Sequence, residues 1–225
     1  MSKLAKTLIS GTALLMLAAQ PVCAAESSDD WTGEYIGGNT DVLNGQVNIS
    51  NVWSSIDAHV EDSAQGDFGA VTTAVGNTAQ IFTLSDTYVD NNQSNEGFIG
   101  AQTNVNANGI NGWVGLGATA LCNGASVSTD PNTTAVGNRQ FCGGADPQAN
   151  INASISNVSG GVGVAGTAVG NQLQVDSNAK YFPVNNTQIS TAPIQTNVNV
   201  NIAHVGGPVS LTASAVGNTA QIIHY

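Results

Sequence analysis

Ala74-Val75-Gly76-Asn77-Thr78-Ala79-Gln80-Ile81 is repeated residue for residue at Ala215-Val216-Gly217-Asn218-Thr219-Ala220-Gln221-Ile222. Its first four residues return twice more, as Ala135-Val136-Gly137-Asn138 and Ala168-Val169-Gly170-Asn171. Such recurrence in a short chain marks a repeat architecture, which decides the fold before any local propensity does. A second motif accompanies it. Gln46-Val47-Asn48-Ile49 recurs as Gln102-Thr103-Asn104-Val105, Gln148-Ala149-Asn150-Ile151 and Gln195-Thr196-Asn197-Val198, and the last three glutamines are 46 and 47 residues apart. Ala168 to Ala215 is also 47 residues. A third echo, Asn91-Asn92-Gln93 against Asn186-Thr187-Gln188, is displaced by 95 residues, two periods. Ala118-Thr119-Ala120-Leu121-Cys122-Asn123 is a degenerate copy, and the copy at Ala135 falls off the beat, as a half-period rung would.

Within a unit the residues alternate. In Gln195-Thr196-Asn197-Val198-Asn199-Val200-Asn201-Ile202 the aliphatic residues take every second position and amides the others. Period-two alternation puts one set on each face of a strand. Gly and Asn readily accept positive φ, so Gly76-Asn77, Gly137-Asn138, Gly170-Asn171 and Gly217-Asn218 are expected to form tight corners between strands. The expected fold is all-β: a β-solenoid of about 47-residue repeats, each of two short coils, over residues 46–225. Stacking buries each aliphatic row against its copy, worth about 1.5–3 kcal/mol per large side chain. Gln46, Asn48, Gln102, Asn104, Gln148, Asn150, Gln195 and Asn197 are the expected stacking ladder. The competing arrangement, a β-sandwich of two similar halves, accounts for the period less directly.

Residues 1–24 read as a signal peptide. Lys3 and Lys6 precede an apolar run ending near Leu17, and Val22-Cys23-Ala24 is a small-residue cleavage site. Cys23 fits a lipidation box poorly, with Val22 before it and Gln20 three before. Residues 25–45, carrying Glu26, Asp29, Asp30, Glu34, Trp31 and Tyr35, are expected to be an acidic arm or a cap on the first coil. Removing the leader leaves Arg139 and Lys180 against 15 acidic residues, a net charge of −13. That balance argues against nucleic-acid binding through phosphates. Charged residues make up 8% of the chain and aromatics 5%, with 26 glycines. That composition suits exported repeat proteins better than enzymes.

Cys122 and Cys142, 20 residues apart, are a disulfide candidate on export through an oxidising periplasm, bridging adjacent coils. No Cys-x-x-Cys or His pair argues for zinc, and the Asp-rich loop of the first unit lacks a calcium-loop pattern. His59, His204 and His224 are isolated, with no triad motif beside them, and the acids are scattered near turns. No catalytic or metal residue is assigned, no cofactor is expected, and an enzyme is not. Gln221-Ile222-Ile223 follows the last repeat copy and is expected to be an open assembly edge. Trp31 and Trp53 are candidate glycan contacts, whereas Trp113, in a Gly-rich apolar run, is expected to be buried.

Gly76-Asn77-Thr78-Ala79-Gln80 and Gly217-Asn218-Thr219-Ala220-Gln221 resemble, loosely, the core of curlin-type amyloid subunits. In curlins the Gly and Asn are separated and the period is about half as long. The Thr-Ala-Val-Gly-Asn repeats in an acidic exported chain more closely resemble the holdfast anchor protein family (holdfast attachment protein D-like), over residues 46–225. The resemblance implies an outer-surface protein that fixes an adhesive polysaccharide to the cell envelope, exported through the periplasm with a curli-type pore lipoprotein. The expected function is therefore a secreted structural or adhesive protein that pairs with itself or related repeat subunits through solenoid edges. The alternatives are a carbohydrate-binding module using exposed Trp residues and a solenoid polysaccharide-degrading enzyme.

Overall fold

The computed structural model describes residues 40–61, 64–130, 132–144 and 147–225. The leader, Trp31 and the arm up to residue 39 lie outside the described residues. Thirteen strands run through the rest: β1 (Thr40–Asn48), β2 (Val52–Val60), β3 (Ala64–Gln65), β4 (Phe68–Thr83), β5 (Thr87–Asn95), β6 (Ile99–Asn111), β7 (Val114–Thr129), β8 (Thr134–Cys142), β9 (Gln148–Val158), β10 (Val162–Ser177), β11 (Val184–Ser190), β12 (Gln195–Val205) and β13 (Val209–His224).

They form three parallel sheets. The first is β1-β5-β8-β11, the second β2-β6-β9-β12 with β3 added at its edge, and the third β4-β7-β10-β13. The chain visits the sheets in that order and then climbs to the next rung. Thr40 pairs with Thr87, Val52 with Ile99 and Phe68 with Val114, one period of 46 or 47 residues on. The described residues thus form a β-solenoid of four coils, with parallel strands about 4.8 Å apart along its axis. Three details of the sequence reading change. Each repeat is one three-sided coil, not two short ones, and the off-beat copy Ala135–Asn138 lies in the first sheet, paired with Tyr88–Asn91. The first coil also begins before Gln46, because residues 40–45 belong to β1 and not to an arm.

Third-sheet strands are long because each bends once without breaking its ladder. In β10, Val162, Val164 and Ala168 face inward, and beyond Gly170 the inward set becomes Asn171, Leu173 and Val175. The inward parity switches at the Gly. Pairing skips that residue in all three ladders, at Gly76, Cys122, Gly170 and Gly217. The bend divides the interior in two. Before it, the third sheet packs on the second, around Ile99, Ile110, Ile151, Ile155, Val114 and Val162. After it, the same strands pack on the first sheet, around Val89, Val136, Val127, Leu173 and Val175.

Gly76-Asn77, Gly170-Asn171 and Gly217-Asn218 are therefore bends inside strands, whereas Gly137-Asn138 lies in β8 with its ladder and inward parity unbroken, and none of these glycines takes a positive φ. What the bend requires is space. A Cβ on Gly76 would enter the Asn95 side chain and lie 2.6 Å from the Cys122 carbonyl oxygen. A Cβ on Gly170 would lie 3.0 Å from Ser190 Oγ. The left-handed corner sits elsewhere, at the end of the second sheet, where Gly109 (φ 75°), Asn157 (φ 54°) and His204 (φ 55°) occupy one column. Gly, Asn and His are residue types that tolerate this region better than most.

Candidate functional site

Between the two cores run columns of amides, one rung per coil. Asn77, Asn123, Asn171 and Asn218 stand immediately after the bend. Each donates from Nδ2 to the next: Asn77 to Asn123 Oδ1 at 2.9 Å, Asn123 to Asn171 and Asn171 to Asn218, both at 2.8 Å. The second N–H of each crosses to the first sheet. Asn77 reaches the Ser94 carbonyl, Asn123 that of Phe141 and Asn171 that of Ile189, each at 2.8 Å. Each Asn therefore ties its coil to the next one and pins the third sheet to the first. In water these amides are satisfied already, so each bond adds only about 0.5–1.5 kcal/mol net. Leaving one unmade in the dry interior costs more, which makes the column a strong specifier of register.

The first sheet supplies two more columns. Asn44 donates to Asn91, Asn91 to Asn138 and Asn138 to Asn186, at 2.6 to 2.7 Å. The glutamines run the opposite way. Gln188 donates to Gln140, Gln140 to Gln93 and Gln93 to Gln46, at 2.7 to 2.8 Å. Each Gln also donates across to a third-sheet carbonyl, from Gln46 to Thr78 through Gln188 to Thr219. Gln93 and Gln140 are buried, as are Asn91 and Asn138.

These columns differ from the expected Gln-x-Asn ladder. Gln46 and Asn48 belong to the first sheet, while Gln102, Asn104, Gln148, Asn150, Gln195 and Asn197 lie in the second. There Gln195 stands over Gln148 and Asn197 over Asn150, but Gln102 pairs with Asn150 and Gly100 with Gln148. A two-residue slip preserves which face each side chain takes, so alternation alone does not detect it. The left-handed column Gly109-Asn157-His204 fixes the true register. Second-sheet amides face outward, where Asn104 donates to Asp57 Oδ1 and Asn152 to Asn104 Oδ1. The inner rungs Gln93, Gln140, Gln188, Asn91 and Asn186 were missed as a set. Their signal is Asn-x-Gln at Asn44, Asn91, Asn138 and Asn186, of which only two copies stand out by eye.

Cys122 and Cys142 are joined by a disulfide. The bridge runs from β7 of the third sheet to β8 of the first, and since β8 begins the next coil it ties two adjacent coils. It occupies the place that Gly76 and Asn95 fill one coil below and Gly170 and Ser190 one coil above. The Gly of the repeat is replaced where a cross-link takes the room.

Several acids bridge coils instead of converging. Asp67 Oδ1 accepts the Trp113 N–H at 2.8 Å, Asp86 Oδ1 that of Thr133 at 2.9 Å, and Asp130 Oδ1 the Asn178 amide at 3.1 Å. Among the described residues no group of three or more His, Cys, Asp or Glu gathers at one point. His59 pairs with Glu61 at 2.7 Å on the surface, and His224 Nε2 lies 2.6 Å from the Ala179 carbonyl oxygen. Burial pushes the Tyr88 phenol above its ordinary range; the Asp90 and Asp41 carboxylates add to this and Arg139 opposes it. Trp53 is half exposed and stacks on Phe98 at 5.7 Å. Trp113 is also half exposed, contrary to the expected burial, because its ring lies over Gly160 and Gly161 from outside.

The ends of the stack complete the site. Gln221, Ile222 and Ile223 pair with Gln174, Val175 and Asp176, so they lie on the last rung of the third sheet. Val209, Leu211 and Ile222 continue the inward columns of Val162, Val164 and Val175, yet are about half exposed. No family model matches the chain, and no curated protein or solved structure matches it either.

Proposed function

We propose that this chain is a secreted structural protein of the cell surface that associates with itself or with related repeat subunits through the end coils of its solenoid, and so anchors an adhesive polysaccharide to the envelope. The observation that carries the reading is the set of unbroken amide columns reaching both terminal coils, where no described residue adds a further rung to the strand edges. An uncovered row of backbone N–H and C=O groups is a template for further pairing. The disulfide suits an oxidising compartment, and the leader directs export there. Partners of this kind are repeat subunits, a curli-type pore lipoprotein during export, and polysaccharide at the outer face. The test is thioflavin fluorescence and detergent-resistant multimers of the purified mature chain, with protease access on intact cells for its location. A chain that stays monomeric at every concentration, or that is shielded inside the cell, overturns the reading.

One observation favours a second reading, glycan contact at the half-exposed Trp53 and its Phe98 neighbour, since an aromatic face stacks well on a sugar ring. Trp53→Ala with the fold intact then abolishes polysaccharide retention; unchanged retention rejects it.

A further inference from the structure

We propose that copies of this chain join head to tail, the C-terminal coil of one seating the N-terminal coil of the next in the register of an ordinary rung. The proposal deepens the assembly reading above and rests on it. It follows from the polarity of the amide columns.

In the third sheet every Asn donates toward the C-terminal end, so the column finishes on Asn218 with a spare Nδ2 hydrogen. At the other end Asn77 Oδ1 receives no bond from any described residue. The Asn44 column has the same sense: among the described residues Asn186 Nδ2 is left over at the top and Asn44 Oδ1 at the bottom. The glutamine column is reversed, leaving, among the described residues, Gln188 Oε1 at the top and one Gln46 N–H at the bottom. Head-to-tail stacking therefore sets donor against acceptor in all three columns: Asn218 on the next copy's Asn77, Asn186 on its Asn44, and Gln188 beneath its Gln46. Stacking two like ends sets donor against donor, or acceptor against acceptor, in every column.

A break in pattern at the last rung points the same way. Asn77, Asn123 and Asn171 donate to Ser94, Phe141 and Ile189, which form one column of the first sheet belonging to the following coil. Among the described residues no coil follows Asn218. Asn218 settles on the Gln188 carbonyl at 3.2 Å, a residue out of step. The rung that would restore the pattern is Val47, the first member of that column, supplied by the next copy.

Composition matches. From Val184 to Tyr225 there is no Asp, Glu, Lys or Arg, although the chain as a whole is strongly acidic. The end coil is thus free of the repulsion that keeps the flanks apart, and it presents the half-exposed Val209, Leu211 and Ile222 to the inward columns that begin at Phe68, Ala70 and Ile81.

Outward positions give the test. Leu43, Asp90, Gly137 and Asn185 form one column of the first sheet, so the junction places Asn185 of one copy beside Leu43 of the next. Neighbouring rungs are within disulfide reach. N185C and L43C are made as separate full-length variants that retain the native disulfide. Circular dichroism confirms the fold, and the variants are oxidised alone and mixed during assembly. The expected result is a cross-linked dimer in the mixture and none from either variant alone. S210C with G69C repeats the test in the third sheet, where Gly69, Gly115, Gly163 and Ser210 share a column. N185C cross-linking to itself, or multimers in which neither pair cross-links, overturns the head-to-tail register and leaves the assembly reading standing. A chain that forms no multimer overturns both.

Discussion

Replacing Asn123 tests the interior column at its best-satisfied rung. Its side chain is fully buried, receives Asn77 Nδ2 at 2.9 Å, and donates to Asn171 Oδ1 and the Phe141 carbonyl at 2.8 Å each. Asn123→Ala removes all three bonds. At about 1 kcal/mol apiece the loss is about 3 kcal/mol, and it rises toward about 5 kcal/mol as Asn171 Oδ1 and the Phe141 oxygen stay buried without that donor. Asn218 is the internal control. It is exposed on the last rung with two bonds, one of them at 3.2 Å, so Asn218→Ala costs the isolated chain about 1 kcal/mol. Asn123→Leu separates bonding from cavity, because it fills the volume but cannot donate. The assay is denaturant unfolding at a concentration where the chain is monomeric, followed by far-ultraviolet circular dichroism and Trp fluorescence. Coincident transitions are required before a free energy is read from a repeat protein. If Asn123→Ala costs less than about 1 kcal/mol, or no more than Asn218→Ala, the columns do not hold the coils together as argued.

Gly76→Ala is expected to destabilise by about 1–3 kcal/mol through overpacking against Asn95 and the Cys122 carbonyl, whereas Gly217→Ala, with nothing within 4 Å of its Cβ, stays within about 0.5 kcal/mol; parallel melting curves compare them. Reduction of Cys122–Cys142, which closes a loop of 20 residues, should remove about 3 kcal/mol. The double variant C122G/C142N, which rebuilds the Gly76–Asn95 arrangement of the coil below, should lose less than C122A/C142A in the same unfolding assay. The Tyr88 phenol should ionise at higher pH than a free tyrosine, read by ultraviolet difference titration. Because its folded-state pKa is raised, its contribution to stability is present at neutral pH and is lost as pH rises through that value. A titration matching the unfolded chain, or Tyr88→Phe with unchanged alkaline stability, counts against the assignment.

Much of the fold was legible because a solenoid writes its period into its sequence. Ala74, Ala120, Ala168 and Ala215 do stand in one column, as the eight-residue repeat implied. What alternation did not carry was the number of sides. A strand that bends while keeping its ladder looks, in sequence, like two strands around a corner, so Gly76-Asn77 read as a turn. The true corners were harder to see, because their shared property is a backbone angle adopted by three different residue types, Gly109, Asn157 and His204. The amide columns were half legible for a related reason. Inner and outer amides are chemically identical, and alternation alone does not say which of them face the interior: the bend's change of parity decides it in the third sheet, and the corners between sheets decide it in the first and second.

That change of parity also explains how so little apolar volume sustains the stack. Ala takes 11 of the buried apolar positions among the described residues, more than Val, Ile or Leu singly, and none of the described aromatic side chains is fully buried. Alanine rows allow the second and third sheets to approach closely but contribute little burial apiece. The bend offsets this by turning one inward position per coil into an Asn that bonds up the axis and across to the first sheet. Its specificity is directional: apolar rows accept a neighbouring coil from either side, whereas a donating amide distinguishes the coil above from the coil below. A coil therefore carries its orientation in its side chains, and a variant with Asn77, Asn123, Asn171 and Asn218 all changed to Leu should lose register before it loses strand content. Proteolysis and amide hydrogen exchange would detect this as slipped, unevenly protected rungs beneath an unchanged circular dichroism spectrum; uniform protection would show that the aliphatic columns alone set the stack.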